Sequence, residues 1–331
     1  MARKTYRQII VTEELIQQIN PINKGLVEKF LKEKATRTSP ATIKNYTSSS
    51  NIFFVWNVLY NENKVFTDIK KLEFSNFFSF TTDELRWGSA RNNGVRSFLS
   101  SLSIFIEKFM DDEYPNFRNI VLKTIESVPK EFRREKTILS NEQVESLLQH
   151  LSETDSQKAC WFALAAFSGS RFSEILRFTT DILDSNHTAF GDLFMETKKQ
   201  IKTKGRGREG KLLFKYILKD RFLPYYEKWI TDREVIMKEK NQEHTSLFIR
   251  EDGTPATDGT IRSWVTSMET FLGVNVYPHC LRHFLVTEFS RKNIPAMLIK
   301  DLVGWSGLEM VNLYNDLTSK DKTWTELDNL K

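Results

Sequence analysis

A charged, proline-bearing stretch, ESVPKEFRREKT, cuts this chain into two differently patterned parts, and that break limits the folds open to it. Pro129 stands in it, with six charged side chains between Lys130 and Lys136. Such a segment offers no apolar face to a core, so it reads as a linker between separately packed units. Upstream, Ser39 and Pro40 mark a helix start, the hydroxyl as N-cap and the proline at the first helical position. Ile43, Tyr46, Phe53, Trp56 and Leu59 then recur near the 3.6-residue helical period. A second helix is predicted over 89–110, with Val95, Leu99, Leu102, Ile106 and Phe109 on one face. Its opening turns carry Arg91, Asn92, Asn93 and Arg96. Shorter helices near 22–34 and 68–80 complete an all-helical bundle ending near residue 126.

Downstream the order is mixed. Ser140 and Gln143 form a capping box ahead of the run VESLLQHL. Helices are predicted near 141–152, 156–168, 171–178, 221–239, 258–272, 280–292 and 295–303, with a last one holding Tyr314. A strand pair over 188–219 turns through Gly205 and Gly207. The expected fold is mainly α with a small antiparallel β-sheet. It comprises a helical domain at 1–126, a linker at 127–138, and an α-rich domain at 139–331 with a C-terminal tail.

Composition narrows the function classes. The longest apolar run, Ala159 to Phe167, is nine residues, against the roughly 20 that span a bilayer. No apolar stretch with a cleavage site follows Met1, and two cysteines offer no disulfide framework, so a cytoplasmic protein without a membrane partner is expected. Residues 1–136 hold 22 Lys and Arg against 16 Asp and Glu, whereas the rest holds 26 against 27. Within that balanced half, residues 198–221 carry ten basic and two acidic side chains. Charge clustered in this way is the footprint of a polyanion-binding surface.

The chemistry-bearing residues fall in a fixed order. Arg171 and Glu174 stand in GSRFSEIL, the basic run QIKTKGRGREGKLLF follows, and His279, Arg282, Trp305 and Tyr314 close the series at spacings of 3, 23 and 9. No pair of these is specific, but the ordered set resembles the catalytic signature of the tyrosine recombinase/integrase family, of Xer, Cre and phage-integrase type. The resemblance implies a helical core-binding domain of SAM-like type before a recombinase catalytic domain. About twenty residues precede the first expected helix, so the separate arm-binding domain of larger phage integrases is not expected within this sequence.

The resemblance also implies roles. Arg171 and Arg282 would clamp the non-bridging oxygens of a scissile phosphate with guanidinium forks. Glu174 would orient Arg171, with which it also makes an i,i+3 pair. Tyr314 would attack as nucleophile and give a 3′-phosphotyrosine that stores the bond energy, so that religation needs no ATP and no cofactor. His279 would take the tyrosine proton or bond a phosphate oxygen. Trp305, where the family more often has histidine, has an N–H to donate but no proton to exchange at neutral pH. Lys204 is favoured over Lys202 as the general acid for the leaving 5′ oxygen, from a hairpin where Lys202, Arg206, Arg208 and Lys211 would contact DNA. Arg91, Asn92 and Arg96 are the DNA contacts expected of the first domain.

A metal site on His279 and His283 is disfavoured, because the intervening CLR lacks the glutamate of a zincin motif. The implied partners are a double-stranded DNA recombination site, three further copies of the chain in a tetramer assembled on DNA from free monomers, and an accessory DNA-bending or directionality factor. The implied reaction exchanges strands through a Holliday junction, in integration or excision of a mobile element or in replicon resolution. Two alternatives remain at this stage: a catalytically silent DNA-binding protein on the same scaffold, and a type IB topoisomerase-like activity.

Overall fold

A computed structural model describes residues 11–121, 125, 127, 137–205, 210–308 and 311. The chain divides into two compact units, Met1–Arg134 with Gly205–Gly210, and Glu135–Lys204 with Lys211–Lys331. Among the described residues, no helix is long and apolar enough to cross a membrane.

The first unit is built from α1 (Glu13–Gln18), α2 (Pro21–Ala35), α3 (Pro40–Tyr60), α4 (Lys71–Asp83) and α5 (Ser89–Phe109). The α3 helix starts as the sequence predicts, with Pro40 in its first turn and the Ser39 hydroxyl accepting from the Thr42 N–H at 3.3 Å. Its core is aromatic: Phe53 lies 5.7 Å from Phe74 in a stacked arrangement and 5.0 Å from Phe77 edge-on. Such offset and T-shaped contacts let one ring satisfy several neighbours without voids. On α5, Val95, Leu99, Leu102 and Ile106 are buried, but Phe109 at the last turn is exposed, as is Leu59 near the end of α3. The helices outrun the core they pack on.

The second unit packs around α7 (Ser156–Ser168), whose residues from Ala159 to Ser168 are all buried. A helix apolar on every side must be enclosed, and α6 (Asn141–Thr154), α9 (Lys219–Glu239) and α11 (Pro278–Arg291) enclose it. The Ser140–Gln143 capping box that opens α6 is formed in both directions. The α10 (Asp258–Leu272) and α12 (Ala296–Val303) helices complete the described helical set with α8 (Phe172–Ile175). The α8 helix is shorter than the 171–178 expected, because Leu247 N–H donates to the Phe178 carbonyl and draws the chain into an extended pairing.

The single strand pair expected at 188–219 is instead two ladders. Strands β1 (Thr188–Ala189), β2 (Phe194–Glu196) and β5 (Tyr216–Leu218) form an antiparallel sheet in the order β1-β2-β5, with Glu196 opposite Tyr216. Strands β3 (Ile201–Thr203) and β4 (Lys211–Leu213) form a separate hairpin, with Thr203 opposite Lys211. The ladders part at Lys215. Thr197 N–H donates to its carbonyl at 3.0 Å, and Lys215 N–H donates to the Thr197 hydroxyl at 3.0 Å. A side-chain hydroxyl thus replaces a backbone acceptor, and the Lys215 side chain is turned into the core.

Candidate active site

The site is assembled at the C-terminal end of α7. This helix stops at Gly169, whose φ of +57° is the left-handed conformation that glycine adopts without a Cβ penalty. A Cβ there would come within 3.1 Å of Leu285 on α11 and Val303 on α12, so close packing also demands the glycine. Arg171 follows directly as the N-cap of α8. Glu174, three residues on, accepts from the Arg171 backbone N–H at 3.0 Å and from its guanidinium Nη1 at 2.8 Å. The pair proposed on spacing is therefore formed, and Glu174 is fully buried.

A third partner completes it. The Lys215 ammonium, 1% exposed, donates to Glu174 Oε2 at 2.6 Å. Burial pushes the Glu174 carboxyl upward, but Lys215 and Arg171 outweigh it and hold the group below its usual 4.5. Burial pulls the Lys215 ammonium below its usual value, against the attraction of Glu174, and the charges of Arg282 and Arg171 lower it further.

Arg282 comes from the first turns of α11 and is fully buried. Its Nη1 donates to the Gly169 carbonyl at 2.7 Å, and its guanidinium carbon lies 4.9 Å from the Trp305 ring centre. Its Nε and Nη2 are buried with no hydrogen-bond partner among the described residues. Burial first, and the neighbouring Arg171 second, bring its pKa down to about 9. Leaving a buried charged donor unmatched costs more than the roughly 1–3 kcal/mol of a neutral one.

Trp305 is buried after the left-handed Gly304 that ends α12, and the Arg282 guanidinium lies over its indole ring. His279 is exposed at the start of α11, one turn ahead of Arg282 on the same helix face, with its ring 4.8 Å from the buried His283. Among the described residues no group of three or more His, Cys, Asp or Glu side chains is arranged to hold a metal ion.

The remaining expected site residues that are described lie on separate elements. Lys202, Lys204 and Lys211 are exposed on the β3–β4 hairpin, while Arg206, Arg208 and Tyr314 lie outside the described residues. In the first unit, Arg91 stacks on Trp87 at 4.5 Å. Arg96 donates Nε to the Ile125 carbonyl at 2.5 Å, a bond that ties α5 to the end of the bundle. Asn92 does not face outward as a DNA contact would. It is 1% exposed, accepts from the Thr81 hydroxyl at 2.7 Å, and so serves the interior of the bundle.

Lys215 was not singled out from the sequence, although its signal is present. A lone lysine within LLFKYIL is costly in an apolar strand unless a buried anion meets it.

Arg171 and Lys215 on one buried carboxylate, with the buried Arg282 guanidinium close by, make a cation-rich cluster at the end of α7. The phage integrase family model matches residues 137–321, more than half of the chain, and the chain belongs to that family. Its activity is that of the tyrosine recombinases, the site-specific cleavage and rejoining of DNA strands. The chain is 26% identical over 289 residues to the SPbeta prophage-derived recombinase-like protein YomM of Bacillus subtilis, covering 84% of this chain and 81% of that one. It is 22% identical to a tyrosine recombinase of Thermosipho africanus, over 86% of this chain and 92% of that one. Among solved structures, the fold is similar to the XerH site-specific recombinase bound to its difH substrate before cleavage. The TM-score is 0.66 at 17% identity, covering 92% of this chain and 97% of that one. It is also similar to a lambda integrase dimer bound to a core site, with a TM-score of 0.63 at 16% identity over 92% and 81% of the two chains.

Proposed function

We propose that this recombinase cuts each strand by attack of Tyr314 on a phosphodiester whose non-bridging oxygens are held by Arg171 and Arg282. The reaction leaves a 3′-phosphotyrosine and a free 5′ hydroxyl. The observation that carries this reading is the buried Arg282 guanidinium, with Nε and Nη2 unmatched beside the Arg171–Glu174 pair. Negative charge grows on the non-bridging oxygens as the nucleophile enters, and fixed donors in a desolvated site are worth most at that moment. His279 is the base or phosphate ligand, Trp305 holds the Arg282 plane by stacking, and Lys204 is the acid for the leaving oxygen. The XerH and lambda integrase structures are complexes with their DNA sites, which supports a duplex recombination site as the substrate here. Four copies acting in two rounds through a Holliday junction fit this chemistry, with an accessory bending or directionality factor where the site requires one. Relation to a prophage-derived protein favours movement of a mobile element over replicon resolution.

Arg171→Ala and Arg282→Ala test the reading through cleavage of a nicked duplex at saturating protein. Each is expected to slow cleavage about 100- to 1000-fold, equivalent to roughly 3–4 kcal/mol, while DNA affinity changes far less. Equal losses in affinity and cleavage would make both residues simple phosphate anchors.

A further inference from the structure

Lys215 is placed where a charge is expensive and packing would be cheap. It is 1% exposed at the junction of the two ladders, and its backbone is fixed to Thr197 on both its N–H and its carbonyl. Its ammonium lies 2.6 Å from Glu174 Oε2 and 3.8 Å from the point where a Gly304 Cβ would stand, next to Trp305. A buried ion pair is commonly matched or exceeded in stability by apolar side chains of similar volume. Stability alone therefore does not call for this lysine.

The division of bonds on Glu174 shows what the lysine supplies. Oε1 takes the Arg171 guanidinium, and Oε2 takes both the Arg171 N–H and the Lys215 ammonium. With Lys215 removed, a fully buried carboxylate would depend on Arg171 alone for a hydrogen-bonded countercharge. Arg171 would then be drawn more fully to Glu174 and away from any other anion. With Lys215 present, Glu174 is neutralised from the far side, and the Arg171 charge remains available to a ligand. The cluster of Arg171, Arg282, Lys215 and Glu174 then carries a formal excess of two positive charges. A phosphodiester with one negative charge gains a second as the nucleophile adds, so the excess is complementary to the transition state.

We infer that Lys215 is a positioning residue of the cleavage site, whose buried ammonium holds Glu174 from behind and frees the Arg171 guanidinium for the scissile phosphate. The role rests on the recombinase reading above and acts through Arg171, without contact between Lys215 and DNA.

The test compares full-length wild type with Lys215→Met, Lys215→Gln and the pair Glu174→Gln with Lys215→Met. Thermal midpoint, DNA affinity and single-turnover cleavage of a nicked duplex are measured for each. The doubly substituted chain removes both charges of the buried Glu174–Lys215 pair together, so its midpoint is expected to lie closer to wild type than that of Lys215→Met. Its cleavage should still be about 10- to 100-fold slower, by analogy with loss of the partner that orients a metal ligand, with affinity little changed. Lys215→Gln keeps a donor but not the charge and should show the same split, which provides a reading if the methionine variants do not fold. The defect should also be equal on a 5′-phosphorothiolate substrate, whose leaving group needs no proton. Wild-type cleavage rates in Lys215→Gln or in the double variant would overturn the inference and leave Lys215 as a counter-ion for folding. Rescue on the thiolate substrate would also overturn it, by making Lys215 the general acid. No adduct from wild type would instead count against the recombinase reading itself.

Discussion

Glu174 is the residue on which the site turns, and its ionisation makes a pH dependence. Its folded pKa lies below the usual 4.5, held there by Lys215 and Arg171 against the upward push of burial. A carboxyl depressed on folding stabilises above its unfolded value and loses that contribution as pH falls through the folded one. Wild type should therefore lose stability as pH drops below 4.5. Glu174→Gln should be less stable at pH 7 and show a flatter acid slope, read from urea midpoints across pH 3–7. An unchanged slope would mean that Glu174 is not the group that titrates. The leaving group offers a second test at this scale. Lys204→Ala should nearly abolish cleavage of ordinary DNA and recover on a 5′-phosphorothiolate substrate, because a thiolate leaves without protonation. Lys202→Ala should be modestly affected on both, and the rescued pattern in Lys202→Ala would move the acid two residues back along β3. The Arg171–Glu174 pair could be anticipated because an i,i+3 spacing is a local signal. Lys215 and the interior role of Asn92 could not, since both depend on partners brought close only by folding.

At the scale of elements, two left-handed glycines set the geometry of the site. Gly304 has a φ of +71°, and a Cβ there would lie 2.7 Å from Leu213 Cδ1 on β4. Gly304→Ala should cost about 1–2 kcal/mol, the left-handed penalty for a residue with Cβ. It should also slow cleavage, by shifting Trp305 from beneath Arg282. Denaturant midpoints and single-turnover rates check both parts, and unaltered stability would show that the turn relaxes freely. Caps and periodic faces made most helices legible, as Ser39 and the Ser140–Gln143 box demonstrate. The strands were less so. The parting of the hairpin at Lys215 depends on the Thr197 hydroxyl replacing a ladder acceptor, a contact 18 residues away in sequence. The early end of α8 likewise depends on Leu247, far along the chain.

For the molecule as a whole, the charge pattern anticipated a polyanion surface, and the fold exposes Lys202, Lys204 and Lys211 on one hairpin. Affinity for a duplex should fall steeply with salt as counterions are released. Substituting Lys202 and Lys211 together by alanine should lower the slope of log affinity against log salt by about two units if each neutralises one phosphate. An unchanged slope would turn that face of the hairpin away from DNA. The central claim concerns a covalent bond, and mapping that bond tests it most directly. Wild-type protein is incubated with a nicked duplex carrying its recombination site, without metal or ATP, then denatured, digested and analysed by mass spectrometry. The account predicts a DNA-linked peptide with the phosphate on Tyr314, absent from Tyr314→Phe even though that variant still binds the duplex. A phosphate on another tyrosine such as Tyr277, or an adduct that persists in Tyr314→Phe, would contradict it.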